Sequence, residues 1–213
     1  GAEISKISVD ARHGSPRLVY TVAVTLKDKG AETAFAGSAP CVAVIRQKPL
    51  ELLRGTEKLA HRPVVCGLGP AGLFAALLLA RQGLRPLVLE RGEDAQARHE
   101  AVEKFWSDGS FDRRSNVQFG EGGAGTFSDG KLNTGVNNPR IQWILQQFVA
   151  AGAGEDILYD AKPHVGTDVL LTVVQNIRKR IISLGGTVRF STQVTDLELE
   201  GNRLSALVTE SGE

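Results

Sequence analysis

The 213-residue sequence is long enough to bury a core in one or two domains. Its 42% apolar and 23% charged residues, with a mean hydropathy of −0.09, are those of folded soluble proteins and exclude a disordered or fibrous class. Twenty-five basic against 24 acidic side chains leave a net charge of +1, so no charge footprint marks a nucleic-acid or membrane partner.

The longest apolar run, residues 71–80, is broken only by Gly72 and is about half of what a bilayer span requires. The start Gly1-Ala2-Glu3-Ile4 lacks the basic and apolar segments of a secretory signal, and a cytoplasmic setting is the default expectation. Cys41 and Cys66 are too few for a disulfide framework, and no Cys/His cluster has metal-ligand spacing. Both thiols are expected to be buried, as free cysteines usually are. Methionine is absent and the chain opens on glycine, which suggests a processed or partial chain.

Residues 4–47 read as strands: Ile4, Ile7 and Val9, then the β-branched run over residues 17–26, then Cys41-Val42-Ala43-Val44-Ile45. Leucine spacing and Pro49 predict a short helix over residues 49–59. Residues 1–60 thus form an expected small α+β domain, and residues 61–213 a second one of α/β class.

In the second domain, the apolar strand from Pro63 to Cys66 runs into glycines and then a helix over residues 70–82 that Gly83 ends. The next strand, residues 85–90, is apolar on both faces, as a buried parallel strand is, and completes one βαβ unit. A helix over residues 93–106 precedes a Gly/Ser/Asn/Asp-rich stretch over residues 107–138, and loops this long are usually functional or disordered. Helices are expected over residues 140–151 and 168–184, and strands over 187–191, 194–200 and 203–209, the last two joined by the turn Gly201-Asn202.

The glycine loop Gly67-Leu68-Gly69-Pro70-Ala71-Gly72 carries the clearest chemistry. A pyrophosphate needs backbone N–H donors and closely approaching main chain. Gly67 makes the turn, Gly69 lets the backbone approach phosphate, and Gly72 lets the helix pack on the strand, while the helix dipole faces the anion. Glu90 follows Gly67 by 23 residues, the spacing at which a carboxylate takes ribose hydroxyls and repels a 2′-phosphate. Arg91 is either a ribose neighbour or a solvated charge.

Pro63-Val-Val-Cys-Gly-Leu-Gly-Pro-Ala-Gly with Leu87-Val-Leu-Glu-Arg-Gly resembles the FAD site of glutathione-reductase-like flavoproteins. The longer motifs Ser115-Asn-Val-Gln-Phe-Gly-Glu-Gly-Gly-Ala-Gly-Thr-Phe-Ser-Asp-Gly-Lys131 and Asp160-Ala-Lys-Pro-His-Val-Gly-Thr-Asp168 are similar to those of the uncharacterised bacterial FAD-dependent dehydrogenase family. The resemblance implies FAD as cofactor, a small-molecule substrate not identified, and NAD(P)H as an electron donor. It implies that Gly122, Gly123, Ala124, Gly125 and Thr126, with Asp129 and Lys131 beyond them, lie along the flavin, and that Val194 offers backbone to the adenine.

Flavoproteins of this type return late in the chain to a Gly-Asp pair on the ribityl and pyrophosphate, and none occurs in this sequence. The expected fold is therefore a Rossmann-like FAD/NAD(P)-binding domain, incomplete in this chain, behind the small α+β domain. The expected activity is FAD-dependent oxidoreduction, with no catalytic residue identifiable. His164 and Asp168 resemble an acid/base pair only superficially, since Asp168 sits where a helix cap would, and Trp106 and Trp143 read as packing residues. Two rivals remain: an NAD-binding dehydrogenase domain using the same βαβ unit, and a non-catalytic flavin-binding module whose first domain engages a partner.

Overall fold

The computed structural model describes residues 1–12, 14–28, 30–36, 38–45, 50 and 55–212. It has a mixed α/β fold with three small sheets, and the chain divides into two compact units. The first unit gathers Gly1–Arg54, Lys131–Val149 and Gly154–His164; the second gathers Gly55–Gly130, Ala150–Ala153 and Val165–Glu213.

In the first unit, β1 (Ala2–Asp10) and β2 (Arg17–Val24) form an antiparallel hairpin with a register shift between Ile4 and Lys6. Its pairing puts Ile4, Ile7 and Val9 on one face with Leu18, Tyr20, Val22 and Val24, and most of these side chains are exposed. A short α1 (Ala31–Ala36) follows. The strand expected at residues 41–45 does not form: Cys41 ends a turn and the rest is irregular, and among the described residues no strand pairs with it. Most of the helix expected over 49–59 lies outside the described residues, and 55–59 are not helical. The chain re-enters this unit through α4 (Arg140–Ala150), and Asp160 bridges to Ile7 beside β1.

The second unit is built on a parallel sheet in the order β3 (Val64–Cys66), β4 (Leu87–Leu89), β5 (Thr187–Arg189). The first two strands are joined through α2 (Pro70–Arg81), as the βαβ spacing predicts. Pro70 occupies the first turn, where its missing N–H has no helical partner to lose. The helix ends at a left-handed Gly83, with Gly83 N–H donating to Ala80 and Leu84 N–H to Leu79. Next, α3 (Ala95–Asp108) starts at Asp94, whose carboxylate accepts from the Gln96 and Ala97 amides. The last helix, α5 (Thr167–Ser183), closes on the left-handed Gly185 in the manner of α2.

The core lies where Leu170, Val173, Val174, Ile177 and Ile181 of α5 meet Leu73, Ala76, Leu77 and Ala80 of α2. Spacings of three and four residues bring each set onto one helical stripe. Val88 of the central strand is fully buried. At the opposite, amino end of the sheet, Arg62 donates to the carbonyls of Arg85 and Pro86 and to the Thr187 hydroxyl at 2.8–2.9 Å, tying together the starts of the strands.

The face of β3 carrying Val64 and Cys66 is exposed, and Cys41 is exposed as well, so the expectation of two buried thiols is corrected. Cys66 lies on the edge strand, with α2 over the other face near Val65, and Cys41 lies in a turn. The strand expected over 187–191 stops at Arg189, since Ser191 takes a positive φ of 48°. The hairpin of β6 (Val194–Glu200) and β7 (Arg203–Thr209) turns at Gly201-Asn202 as expected. No described helix is long and apolar enough to cross a membrane.

The α2–α5 contact sets the stability of this unit. Ile177→Ala is expected to destabilise it by about 2–5 kcal/mol through lost burial and a residual cavity. Half-exposed Ile182→Ala is expected to stay within about 1 kcal/mol of wild type. Urea unfolding of the two variants checks the difference.

Candidate functional site

The glycine loop extends the central ladder: Gly67 N–H donates to the Leu89 carbonyl at 2.7 Å, from a φ of 91° that suits glycine. A Cβ on Gly72 would stand 2.0 Å from the Gly67 carbonyl oxygen and 3.3 Å from Val65, so its absence lets α2 settle onto the turn. Gly69 is the N-cap of α2 and no side chain caps that end, which leaves the first-turn amides facing outward with the positive end of the dipole. Pro70 and Ala71 are exposed there, while Leu68 is fully buried.

Glu90, at the carboxyl end of β4, is only 4% exposed. One carboxylate oxygen accepts the Leu68 amide at 2.6 Å and the other the Gly92 amide at 2.8 Å. The residue whose spacing raised the expectation of a ribose contact therefore grips the glycine loop, and each oxygen keeps a second lone pair. Its own amide and carbonyl bond Arg189 and Thr192, so one residue ties together the carboxyl ends of β4 and β5. The Arg91 guanidinium lies 4.0 Å above the Phe119 ring and donates to the Arg113 carbonyl.

The second glycine stretch lies directly on the first. Gly122 N–H donates to the Leu68 carbonyl at 2.8 Å. A Cβ on Gly123 would stand 3.1 Å from both the Gly69 Cα and the Pro70 Cδ. A Cβ on Gly92 would stand 2.6 Å from the Gly120 Cα. Gly123–Phe127 forms a single 3-10 turn in which Ala124 is exposed, Gly125 half-buried, and Thr126 buried with its hydroxyl on the Glu121 carbonyl. Segments 67–72, 90–92 and 120–126, far apart in sequence, thus meet backbone to backbone.

The remaining sequence candidates are not among these contacts. Asp129 is exposed, and exposed Lys131 pairs with His164 as an isolated bridge of the first unit. Val194 is half-buried at the start of β6 opposite Thr209. Beside it, a cavity of about 320 Å³ is lined by Arg114, Thr192, Gln193, Glu210 and neighbouring hydroxyls. Asp168 is not the cap of α5, which is Gly166; it stands in the first turn, where its charge meets the helix dipole. His164 and Asp168 belong to different compact units.

Sequence reasoning missed three charged residues that shape this site. Arg98 is 0% exposed; its Nε donates to the Asn116 carbonyl and its Nη1 to the Glu121 carbonyl, both at 2.7 Å, and its cation lies 4.7 Å from the Phe127 ring centre. Its Nη2 has no hydrogen-bond partner among the described residues. Glu121, also 0% exposed, accepts the Ala95 amide at 2.8 Å and lies 2.9 Å from Arg178 Nε, an ion-pair distance with poor hydrogen-bond alignment. The available signal was Arg98 sharing a helical stripe with apolar Ala95 and Val102, since an arginine there must be bonded inward.

Burial pushes the Arg98 guanidinium down to about 10, against the pull of the Glu90 and Glu121 anions, and leaves it charged at neutral pH. Burial also raises the Glu121 carboxyl above its ordinary 4.5, opposed first by the Ala95 amide and then by Arg178. Among the described residues no His, Cys, Asp or Glu cluster could hold a metal ion.

No family model matches the chain. A protein of Clostridium beijerinckii, described only as uncharacterized, is 53% identical over 154 residues. That match covers 72% of this chain and 29% of the relative, so the chain spans less than a third of the relative's length. Among solved structures, the Diels–Alderase PyrE3 of pyrroindomycin biosynthesis aligns with a TM-score of 0.38 and 19% identity, over 70% of this chain and 29% of that one. An L-amino acid deaminase from Proteus vulgaris aligns with a TM-score of 0.35 and 17% identity, over 76% and 47%. Likenesses this distant carry no argument about activity.

A carboxyl whose folded pKa is raised holds its proton more tightly in the folded chain than in the unfolded one. Glu121 therefore makes stability fall as pH rises from 4.5 through its higher folded value. Urea unfolding across about pH 4 to 8 is expected to show this fall in wild type and to lose it in Glu121→Gln. A parallel pair of pH curves would contradict it.

Proposed function

We propose that the chain carries the dinucleotide-binding part of an FAD-dependent oxidoreductase, holding FAD non-covalently. The observation that carries the reading is the docking of Gly122 and Gly123 on Leu68, Gly69 and Pro70, which brings the second glycine segment against the main chain of the first loop. A Cβ at Gly123 would crowd the Gly69 Cα and the Pro70 Cδ, so glycine there lets the two segments close on each other and present one joined edge to a ligand that spans both.

In this reading Gly67, Leu68, Gly69, Pro70, Ala71 and Gly72 offer amides and a helix end to the pyrophosphate. Glu90, already fixed by two loop amides, uses its remaining lone pairs on ribose hydroxyls and disfavours a 2′-phosphate. Gly122 to Thr126 border the flavin side, and the strand entry at Val194 borders the adenine. FAD supplies the hydride or electron chemistry, while the chain binds and orients it. NAD(P)H is the proposed electron donor. The substrate is a small molecule whose contacts are not among the residues assigned to the cofactor.

The visible spectrum of the purified protein, before and after denaturation, tests this reading. Flavin bands that leave the protein on unfolding and are identified as FAD support it. A protein that takes up NAD but not added FAD overturns it. Gly123→Val, which must adopt a φ of 63° and meet Gly69 and Pro70, is expected to weaken FAD binding at least about tenfold, with circular dichroism confirming the fold.

A further inference from the structure

We infer that Arg98, acting with Glu121 and Arg178, is a positioning residue for the flavin half of the cofactor, and this rests on the FAD reading above. The two glycine segments bond each other through Gly122 and Leu68, and each also has supports of its own. The first loop is held by the Glu90 carboxylate, the Leu89 carbonyl and the close fit of Gly72 on Gly67. None of these involves α3 or α5 side chains.

The second segment is clamped through residue 121. Arg98 of α3 takes the Glu121 carbonyl and, with its Nε, the Asn116 carbonyl, so one planar guanidinium closes the turn between them. The Glu121 side chain runs back to the Ala95 amide at the start of α3 and to Arg178 of α5. Gly120 has a φ of 114°, and a Cβ there would lie 2.5 Å from Arg98 Cδ, so the arginine stem also occupies the inside of the turn. Gly122, whose amide meets Leu68, follows directly on Glu121.

Main chain, carboxylate and stem contacts thus converge on the residues just before Gly122 and Gly123. Loosening the clamp moves the second segment over a first loop that keeps its own supports. ADP, which engages the first loop, should tolerate that movement; FAD, which spans both segments, should not. A general structural role for Arg98 would weaken both ligands alike.

Calorimetric titration of the protein with ADP and with FAD separates the two roles. Arg98→Lys keeps the charge but replaces the fork with a point donor, and Arg178→Gln reaches the clamp only through Glu121. Both are expected to weaken FAD at least about tenfold more than ADP. Val102→Ala, a core truncation on the same helix, is expected to lower the melting temperature and leave the FAD-to-ADP ratio unchanged.

Equal loss of both ligands, a Val102→Ala ratio that moves as far, or an effect confined to Arg98→Lys each overturns the inference alone. A wild-type protein that binds neither ligand removes the FAD reading together with it. If Arg98→Lys does not fold, Arg178→Gln, at a side chain 20% exposed, decides by its own ratio.

Discussion

The second unit depends on a carboxylate turned inward. Glu90 ends the central strand, and its two oxygens hold the Leu68 and Gly92 amides in a nearly dry environment. A carboxylate accepting backbone N–H groups makes charge-assisted bonds, roughly twice as strong as neutral ones. The glycine turn has no polar side chain of its own with which to hold a shape. Its geometry is therefore borrowed from a residue one strand away, and α2 starts where that geometry places it.

Much of this unit was legible because its signals are local. Gly67 by its positive φ and Gly72 by its close approach to the turn each answer a steric demand of a strand–turn–helix, and Gly83 ends α2 with a positive φ. The apolar stripe of α5 has a helical period, and Gly201-Asn202 announces its hairpin. The failures share a cause as well. Residues 41–45 have strand composition but no pairing partner among the described residues, and β-propensity describes a fit to neighbours more than a backbone preference. Cys66 is exposed because it lies on an edge strand, a fact of sheet order that composition does not carry.

The candidate site was legible as a set of segments and not as an assembly. Glycines 120–125 stand out by composition, yet nothing local says that Gly122 bonds Leu68 or that Gly123 abuts Gly69. Arg98, Glu121 and Arg178 went unnoticed because charged side chains are read by default as solvated. Their burial follows from long-range packing of α3, α5 and the loop. A single side chain there takes carbonyls from two points of the loop, a role no spacing rule encodes.

The parallel sheet is only three residues deep in each strand, with three paired positions on either side of β4. One charged side chain closes each end: Arg62 gathers the strand starts, and Glu90 the strand ends. A ladder so short has no interior that stays intact while an end frays, so its two ends open and close as one. Were a ligand to tighten the Glu90 end, as the proposed function has it, the change would be felt at Arg62, on the far side of the sheet, and in the peptide groups around Thr187.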